Sequence, residues 1–322
     1  MRILVTGGSG FIGTNFVEYF LSKGVQVLNV DIAPPRLPTH DPYWRNVNIL
    51  DIGNLRAQVG EFSPSHIVSL AAQTGTNDRG RKLEDYATNI QGVKNIIEAA
   101  KSSQSLERTI FTSSMIVCSI DYHPKSENDY CPDTLYGESK MLGEKIVREV
   151  GDVPYSWLIV RPSGIWGPWF DVPYKSLFSM ISKGLYVHPG DSDVNQSLGF
   201  VGNTVRQLDR LLQAPRGEVH GKTFYLADYP PINVRAWVDL IQRAFGAPRI
   251  REVPVWALKM VARAGDVMKL VGWDVPPLSS SRLKNMVASF VVDLDPIVTD
   301  NLPYQLEEAV RVTVDWMLEH KE

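Results

Sequence analysis

The chain has 322 residues, room for two domains or for one with an elaborated second half, and its 44% apolar and 21% charged composition excludes a largely disordered chain. Thirty-three Lys and Arg against 36 Asp and Glu leave a net charge of -3, without the basic footprint that nucleic acid or anionic lipid calls for, so neither is an expected partner. No apolar run nears a membrane span, residues 3–5 read as a strand rather than part of a signal peptide, and Cys118 and Cys131 fit neither a disulfide framework nor a metal knuckle, which together predict a soluble, cytoplasmic protein.

Short β-branched runs at residues 3–5, 25–30, 47–50, 66–70 and 109–112 alternate with amphipathic helical patterns at 11–23, 54–61, 83–102 and 134–149, and a sixth apolar run covers 155–160. This alternation predicts βαβ units, hence an α/β fold with a Rossmann-type doubly wound parallel sheet over residues 1–162. The texture then changes, because fourteen of the 21 prolines and seven of the eight tryptophans lie beyond residue 150. Residues 164–173 read as a loop, 175–183, 204–213 and 233–245 as helices, and 223–226 as a strand. They predict a smaller mixed α/β substrate-binding lobe over 163–322, with the chain free to return to the first domain. Residues 37–43 and 124–133 read as surface loops. The six histidines lie far apart, without the paired spacing of a zinc site, so no metal is expected.

The first strand runs into Thr6-Gly7-Gly8-Ser9-Gly10-Phe11-Ile12-Gly13, which opens the first helix. Such a turn needs glycines to be tight, to let backbone approach a pyrophosphate and to pack helix on strand, while the helix N-terminus supplies amide donors. No Lys-Ser or Lys-Thr follows, so it is not a nucleotide-hydrolysing P-loop. Asp31 ends the second strand at the separation expected for an acid that holds the adenosine ribose hydroxyls. A carboxylate there disfavours a 2′-phosphate, so NAD is expected over NADP.

Tyr136 and Lys140 lie four residues apart on one helix face, after a strand ending in Thr112-Ser113-Ser114. A phenol is a poor base at neutral pH unless positive charge favours its ionised form, which gives the lysine a chemical task, and a serine hydroxyl beside the same substrate oxygen completes a relay for alcohol–ketone chemistry. The spacing alone is weak, since Tyr19 and Lys23 repeat it on the helix of the glycine turn, where packing or surface exposure is expected.

Taken together these residues resemble the extended short-chain dehydrogenase/reductase family, in particular its NAD-dependent sugar-nucleotide epimerase/dehydratase branch. The likeness covers most of the chain: residues 6–13, Asp51-Ile52 at an adenine-contacting strand end, Leu70-Ala71-Ala72 beside the cofactor, Asn89 on a following helix, residues 112–114, the helix from Tyr136 to Lys140, Arg161-Pro162 with Gly167-Pro168, and a closing helix reaching Trp316. The resemblance implies Ser114, Tyr136 and Lys140 as catalytic residues. It implies Gly7, Gly10, Phe11, Ile12, Gly13, Asp31, Ile32, Asp51, Ile52, Leu70, Ala71, Ala72, Asn89, Tyr136, Lys140 and Pro162 as the NAD contacts. A nucleotide-linked sugar is the implied substrate, oxidised to a transient ketone. A homodimer is implied through the helices of residues 83–102 and 134–149, with Ile97, Met141 and Ile146 as candidate apolar contacts.

Three departures matter. Met115-Ile116 stand where dehydratases of this branch carry Asp-Glu, Gly164 stands where epimerases carry Asn, and Gln196 stands near the place of an arginine that grips the pyrophosphate. Arg161-Pro-Ser-Gly-Ile also resembles the 3β-hydroxysteroid dehydrogenase-like branch, which makes an NAD-dependent alcohol dehydrogenase the alternative. A non-catalytic NAD-binding regulator is the third reading, against which the intact Ser114, Tyr136 and Lys140 argue. Arg206, Arg210 and Arg282 are candidates for a diphosphate or for solvated helix surface, and Trp166, Trp169 and Phe170 for a substrate cleft or the core.

Overall fold

The computed structural model describes residues 1–75, 78–120, 122–190, 194–270 and 278–320 and divides into two compact units. Unit 1 comprises Met1–Phe170, Gly199–Asp228 and Asp293–Pro303; unit 2 comprises Asp171–Leu198, Tyr229–Val292 and Tyr304–Glu322.

Unit 1 is built on a seven-stranded parallel sheet. Its strands are β1 (Arg2–Thr6), β2 (Gln26–Asp31), β3 (Trp44–Asn46), β4 (His66–Ser69), β5 (Arg108–Thr112), β6 (Ser156–Pro162) and a seventh, Thr223–Leu226. The spatial order is seventh strand, β6, β5, β4, β1, β2, β3, and every pairing is parallel. The order reverses beside β1, which opens a crevice at the carboxyl ends of β1 and β4, where doubly wound sheets bind ligands.

Because both faces are covered, the strands are continuous apolar runs whose alternate residues serve opposite layers. Leu4, Leu28, Ile67, Phe111 and Ile159 meet Leu55 and Val59 of α2 (Ile52–Phe62), Ile96 and Ile97 of α3 (Ala87–Lys101) and Val147 of α4 (Leu135–Arg148). Ile3, Val5, Val68, Ile110 and Leu158 face the other way, onto Phe16, Val17 and Phe20 of α1 (Phe11–Ser22). That second layer is completed by Val205 and Leu208 of the helix Val201–Gln213.

The strand expected at 47–50 is instead Trp44–Asn46. Val47 and Ile49 are buried, but the Asn48 side chain accepts from the Leu50 N–H and its carbonyl from the Asp51 N–H, so the chain turns there. Residues 37–43 are not a loose surface loop, since Pro38–Tyr43 is a 3-10 helix with His40 buried 2.6 Å from Glu18. The pattern at 83–102 divides into a 3-10 turn, Leu83–Tyr86, and α3. The expected loop at 164–173 begins with a short strand, Gly164–Trp166. Ile97 is buried in the core beneath α3 and so is not the apolar dimer contact expected of it, whereas Ile146 on α4 is half-buried against the same core.

Unit 2 holds the helix Val234–Phe245, whose start is capped by Asn233 Oδ1 accepting from the Ala236 N–H and whose end turns through Gly246 at φ +61°. Trp237 packs edge-on against Phe178 and Tyr174 of the helix Tyr174–Ser182. The closing helix is Leu306–Glu319. Two further helices, Val255–Leu270 and Ser280–Val287, lie in a stretch for which the sequence reading named no element.

Candidate active site

At the end of β1 the chain turns through Gly7, whose φ is +76° and where a Cβ would lie 2.5 Å from the Ala71 amide nitrogen at the exit of β4. A Cβ on Gly13 would sit 2.1 Å from the Gly7 carbonyl oxygen, so only glycine lets α1 seat against the turn. The Gly7 N–H donates to Val30 and the Gly10 N–H to Gly7, which fixes the turn. The N–H groups of Phe11, Ile12 and Gly13 belong to the first turn of α1, where no intrahelical acceptor exists, and they form the anion-seeking end of the helix.

Asp31 sits beside this turn. Its Oδ2 accepts from the Ser9 N–H at 3.0 Å and its Oδ1 from the Ala33 N–H at 2.9 Å, while Ile32 between them is exposed. Arg36, five residues beyond Asp31, folds back so that its Nε donates to the Ser9 carbonyl and a terminal nitrogen to the Trp169 carbonyl.

Leu70 and Ala71 leave β4 hydrogen-bonded to Thr6, through its carbonyl at 2.9 Å and its hydroxyl at 3.3 Å; Ala72 follows, half-buried. Asn89 is buried on α3. Its Oδ1 accepts from the Gln73 N–H, and its Nδ2 donates to the Gln73 carbonyl and to Ser139 on α4, so it ties the segment after β4 to α4. Asp51 caps α2, with Oδ1 accepting from the Asn54 N–H and Oδ2 from its side-chain amide, and Ile52 packs on the core.

Ser114 lies just past the end of β5, and Tyr136 begins α4, which Thr134 caps by accepting from the Gly137 N–H. The structure brings Ser114, Tyr136 and Lys140 together. Ser114 lies beside the Tyr136 phenol, its Oγ accepts from the Ile116 N–H at 3.4 Å, and Lys140 Nζ lies 5.9 Å from the Tyr136 ring centre while donating to the Thr112 carbonyl at 2.9 Å. Burial pushes the Tyr136 phenol up to about 12, against the Ser114 hydroxyl, which draws it down; the nearby Tyr86 adds to the rise. Burial pushes Lys140 down to about 8, while Glu144 works to raise it. Pro162 ends β6 two strands from β4 on the same carboxyl edge.

Sequence reasoning missed the group behind Lys140. Glu144, one turn further along α4, is buried and held by Arg161 of β6, while the Tyr130 hydroxyl donates to it at 3.0 Å. An arginine in an otherwise apolar central strand is the signal that a buried partner awaits it.

The second Tyr-Lys pair has a different environment. Tyr19 and Lys23 both donate to the buried Asp209 carboxylate, at 2.6 and 2.9 Å, and Arg206 binds both Tyr19 and Asp209. That cluster pins α1 to the helix Val201–Gln213. Arg206 is engaged there and Arg210 donates to the Asn301 carbonyl, while Arg282 lies in unit 2. In unit 2 the Gln196 amide donates to the Asn285 and Ala288 carbonyls. Trp166 and Phe170 are core residues, whereas Trp169 is half-buried with φ +70°. Among the described residues no group of three His, Cys, Asp or Glu is placed to hold a metal, and no helix is long and apolar enough to cross a membrane.

Known proteins resemble this chain in sequence and in fold. A 3-beta-hydroxysteroid dehydrogenase of Mycolicibacterium neoaurum is 26% identical over 266 residues, 78% of this chain and 72% of its own. An N-acetyl-alpha-D-glucosaminyl-diphospho-ditrans,octacis-undecaprenol 4-epimerase of Escherichia coli O157:H7 is 24% identical over 332 residues, 99% of this chain and 96% of its own. The fold matches the UDP-glucose 4-epimerase of Thermotoga maritima, at TM-score 0.76, 19% identity and 100% of both chains. It also matches the NAD complex of the Thermus thermophilus UDP-glucose 4-epimerase, at TM-score 0.71, 21% identity, and 99% and 100% of the two chains. Residues 3–227 match the sequence family of NAD dependent epimerases and dehydratases, a span that takes in the glycine turn, Ser114, Tyr136 and Lys140. The chain belongs to the NAD dependent epimerase/dehydratase family.

Proposed function

We propose that the chain oxidises a secondary hydroxyl of a nucleotide-linked sugar to a transient ketone and reduces it again, as an epimerase or a closely related oxidoreductase. One observation carries this reading: Ser114 and Tyr136, side by side with Lys140 behind them, stand at the carboxyl edge of the sheet that carries the glycine turn. NAD, when bound, supplies the hydride acceptor. Gly7, Gly10 and the first amides of α1 would hold its diphosphate and Asp31 its adenosine ribose, at a turn so tight that a Cβ on Gly7 or Gly13 would strike neighbouring backbone. Leu70, Ala71 and Ala72 would border it, with Pro162 and Asn89 beyond.

Tyr136 takes the proton from the substrate hydroxyl, and Ser114 donates to the same oxygen. A phenol near 12 is a weak base at neutral pH, so positive charge must draw it down. The Lys140 ammonium supplies that charge while its bond to Thr112 keeps it in place. Met115 follows Ser114, so the Asp-Glu pair needed to expel water is missing and dehydration is disfavoured.

A test is to incubate the protein with a panel of UDP- and dTDP-sugars, separating products by chromatography and following bound nicotinamide absorbance. Conversion that Tyr136→Phe abolishes supports the proposal; an unchanged panel overturns it.

A second reading, an alcohol dehydrogenase for an apolar hydroxyl such as that of the mycobacterial relative's steroid, is favoured by Gln196. That residue is neutral, and its amide is taken by the Asn285 and Ala288 carbonyls, whereas a diphosphate would call for a cation. Turnover of a 3β-hydroxysteroid with freely exchanging NAD would select it. The proposal includes a cytoplasmic location, from the two free cysteines, and a homodimer through α3 and α4 on the family resemblance. Light scattering at micromolar concentration would detect the dimer.

A further inference from the structure

The helix Val255–Leu270 is apolar on two opposite faces. Leu258 and Ala262 point into unit 2 and pack with Leu283 of the helix Ser280–Val287. Trp256, Met260 and Val267 are 68%, 63% and 59% exposed, and at 3.6 residues per turn they share an arc of about 40° on the other side, along about 16 Å of helix. A globular helix normally turns charge to water on that side. Here the charge borders the apolar row: Lys259 and Arg263, both exposed, follow Trp256 and Met260 at three-residue steps. Among the described residues around it, the carboxylates of Glu252 and Asp266 are engaged within unit 2, by Arg235 and by the Ser280 N–H.

An indole, a thioether and a valine in a row, edged by cations, match the chemistry of a helix lying in the interface of an anionic bilayer. The apolar row enters the acyl boundary, the indole sits at headgroup depth and the basic side chains meet lipid phosphates. We propose that this face docks the protein reversibly on an anionic membrane surface, as a peripheral contact. The whole-chain charge of -3, from which no affinity for anionic lipid is expected, averages over the patch. The inference is independent of which substrate the active site takes.

The full-length protein is sedimented with vesicles of phosphatidylcholine alone and of phosphatidylcholine mixed with phosphatidylglycerol. Binding is expected to the mixed vesicles, to weaken with added salt, and to fall at least about tenfold in Lys259→Glu/Arg263→Glu. Trp256→Ser/Met260→Ser should lose it as well, with turnover unchanged. In the unaltered protein, brominated lipid in the mixed vesicles should quench tryptophan emission, and Trp256→Phe should remove the quenched share.

Failure to bind mixed vesicles, binding unaffected by these exchanges, or absence of quenching would each overturn the proposal. So would light scattering that shows a dimer which Trp256→Ser converts to monomer, since a second copy would then be the occupant.

Discussion

Arg161 on β6 grips Glu144 on α4 through two hydrogen bonds of 2.8 Å, Nε to Oε1 and Nη2 to Oε2, with both side chains only 1% exposed. The Arg161 guanidinium also lies 5.5 Å from the ring centres of both Tyr130 and Tyr225, and donates to the Glu127 carbonyl. β6, α4 and the segment before α4 therefore meet at one ion pair.

Removing Arg161 should leave the buried Glu144 carboxylate without its two closest charged donors, with the Tyr130 hydroxyl at 3.0 Å and Arg148 at 3.7 Å as remaining partners. Arg161→Met is expected to destabilise the fold by about 3–5 kcal/mol, and Arg161→Met/Glu144→Leu to recover most of that, because the apolar pair no longer strands a carboxylate. Urea unfolding of the two variants checks this, and equal losses in single and double variants would contradict it.

The same helix sets a pH dependence. Lys140 is pushed down to about 8 by burial, below the value near 10.5 it takes in an unfolded chain. Between those two values the unfolded chain holds a proton that the folded chain has released, so stability from this residue rises with pH across the window; below it, both states are charged and the folded one bears the buried ammonium. Tyr136, pushed up to about 12, acts in the opposite sense above its ordinary value near 10, where the folded chain keeps a proton the unfolded one loses. Relative to Lys140→Met, the unaltered protein should gain stability as pH climbs from about 8 toward 10 in denaturant titrations. A constant difference would mean that the lysine is not desolvated.

Asp31 places a carboxylate beside the glycine turn, and Arg36 is held to the Ser9 and Trp169 carbonyls nearby. NAD is expected to bind more tightly than NADP in calorimetric titration, and Asp31→Ser to narrow the preference by about tenfold or more. Tighter binding of NADP to the unaltered protein would remove Asp31 from the ribose.

How far the sequence discloses these features depends on how local their physics is. Gly7 and Gly13 are legible because the turn they make is a backbone matter of a few residues, and Asp31 because a strand end fixes its place. Asn89 is legible as a position, but its partners, Gln73 and Ser139, belong to segments that only the folded chain brings together. Arg161 and Glu144 are of the same kind, seventeen residues apart and joined across two elements. Val47 and Ile49 mislead because β-branched residues fill a core equally well from a turn. The helix Val255–Leu270 escapes a periodicity reading because Trp256 and Met260 oppose Leu258 and Ala262, which blurs the single apolar stripe that marks an amphipathic helix.

The two Tyr-Lys pairs give the sharpest contrast, since they share a spacing and differ in everything the fold adds. Tyr136→Phe keeps the ring and removes the hydroxyl that meets Ser114, so substrate oxidation should fall by about 10²–10⁴-fold with nicotinamide nucleotide binding little changed. Tyr19→Phe should leave turnover intact yet register in stability. Its hydroxyl donates to the buried Asp209 carboxylate at 2.6 Å, and a bond to a charged group is worth about 1.5–3 kcal/mol. Lys23, Arg206 and Gln213 continue to hold that carboxylate in the variant, which places the loss at the lower end of the range. Turnover and unfolding midpoints measured on both variants should therefore move in opposite patterns, activity alone for Tyr136 and stability alone for Tyr19. Full activity in Tyr136→Phe would remove the proton transfer assigned to it, while an activity loss in Tyr19→Phe would place the Asp209 cluster in the reaction after all.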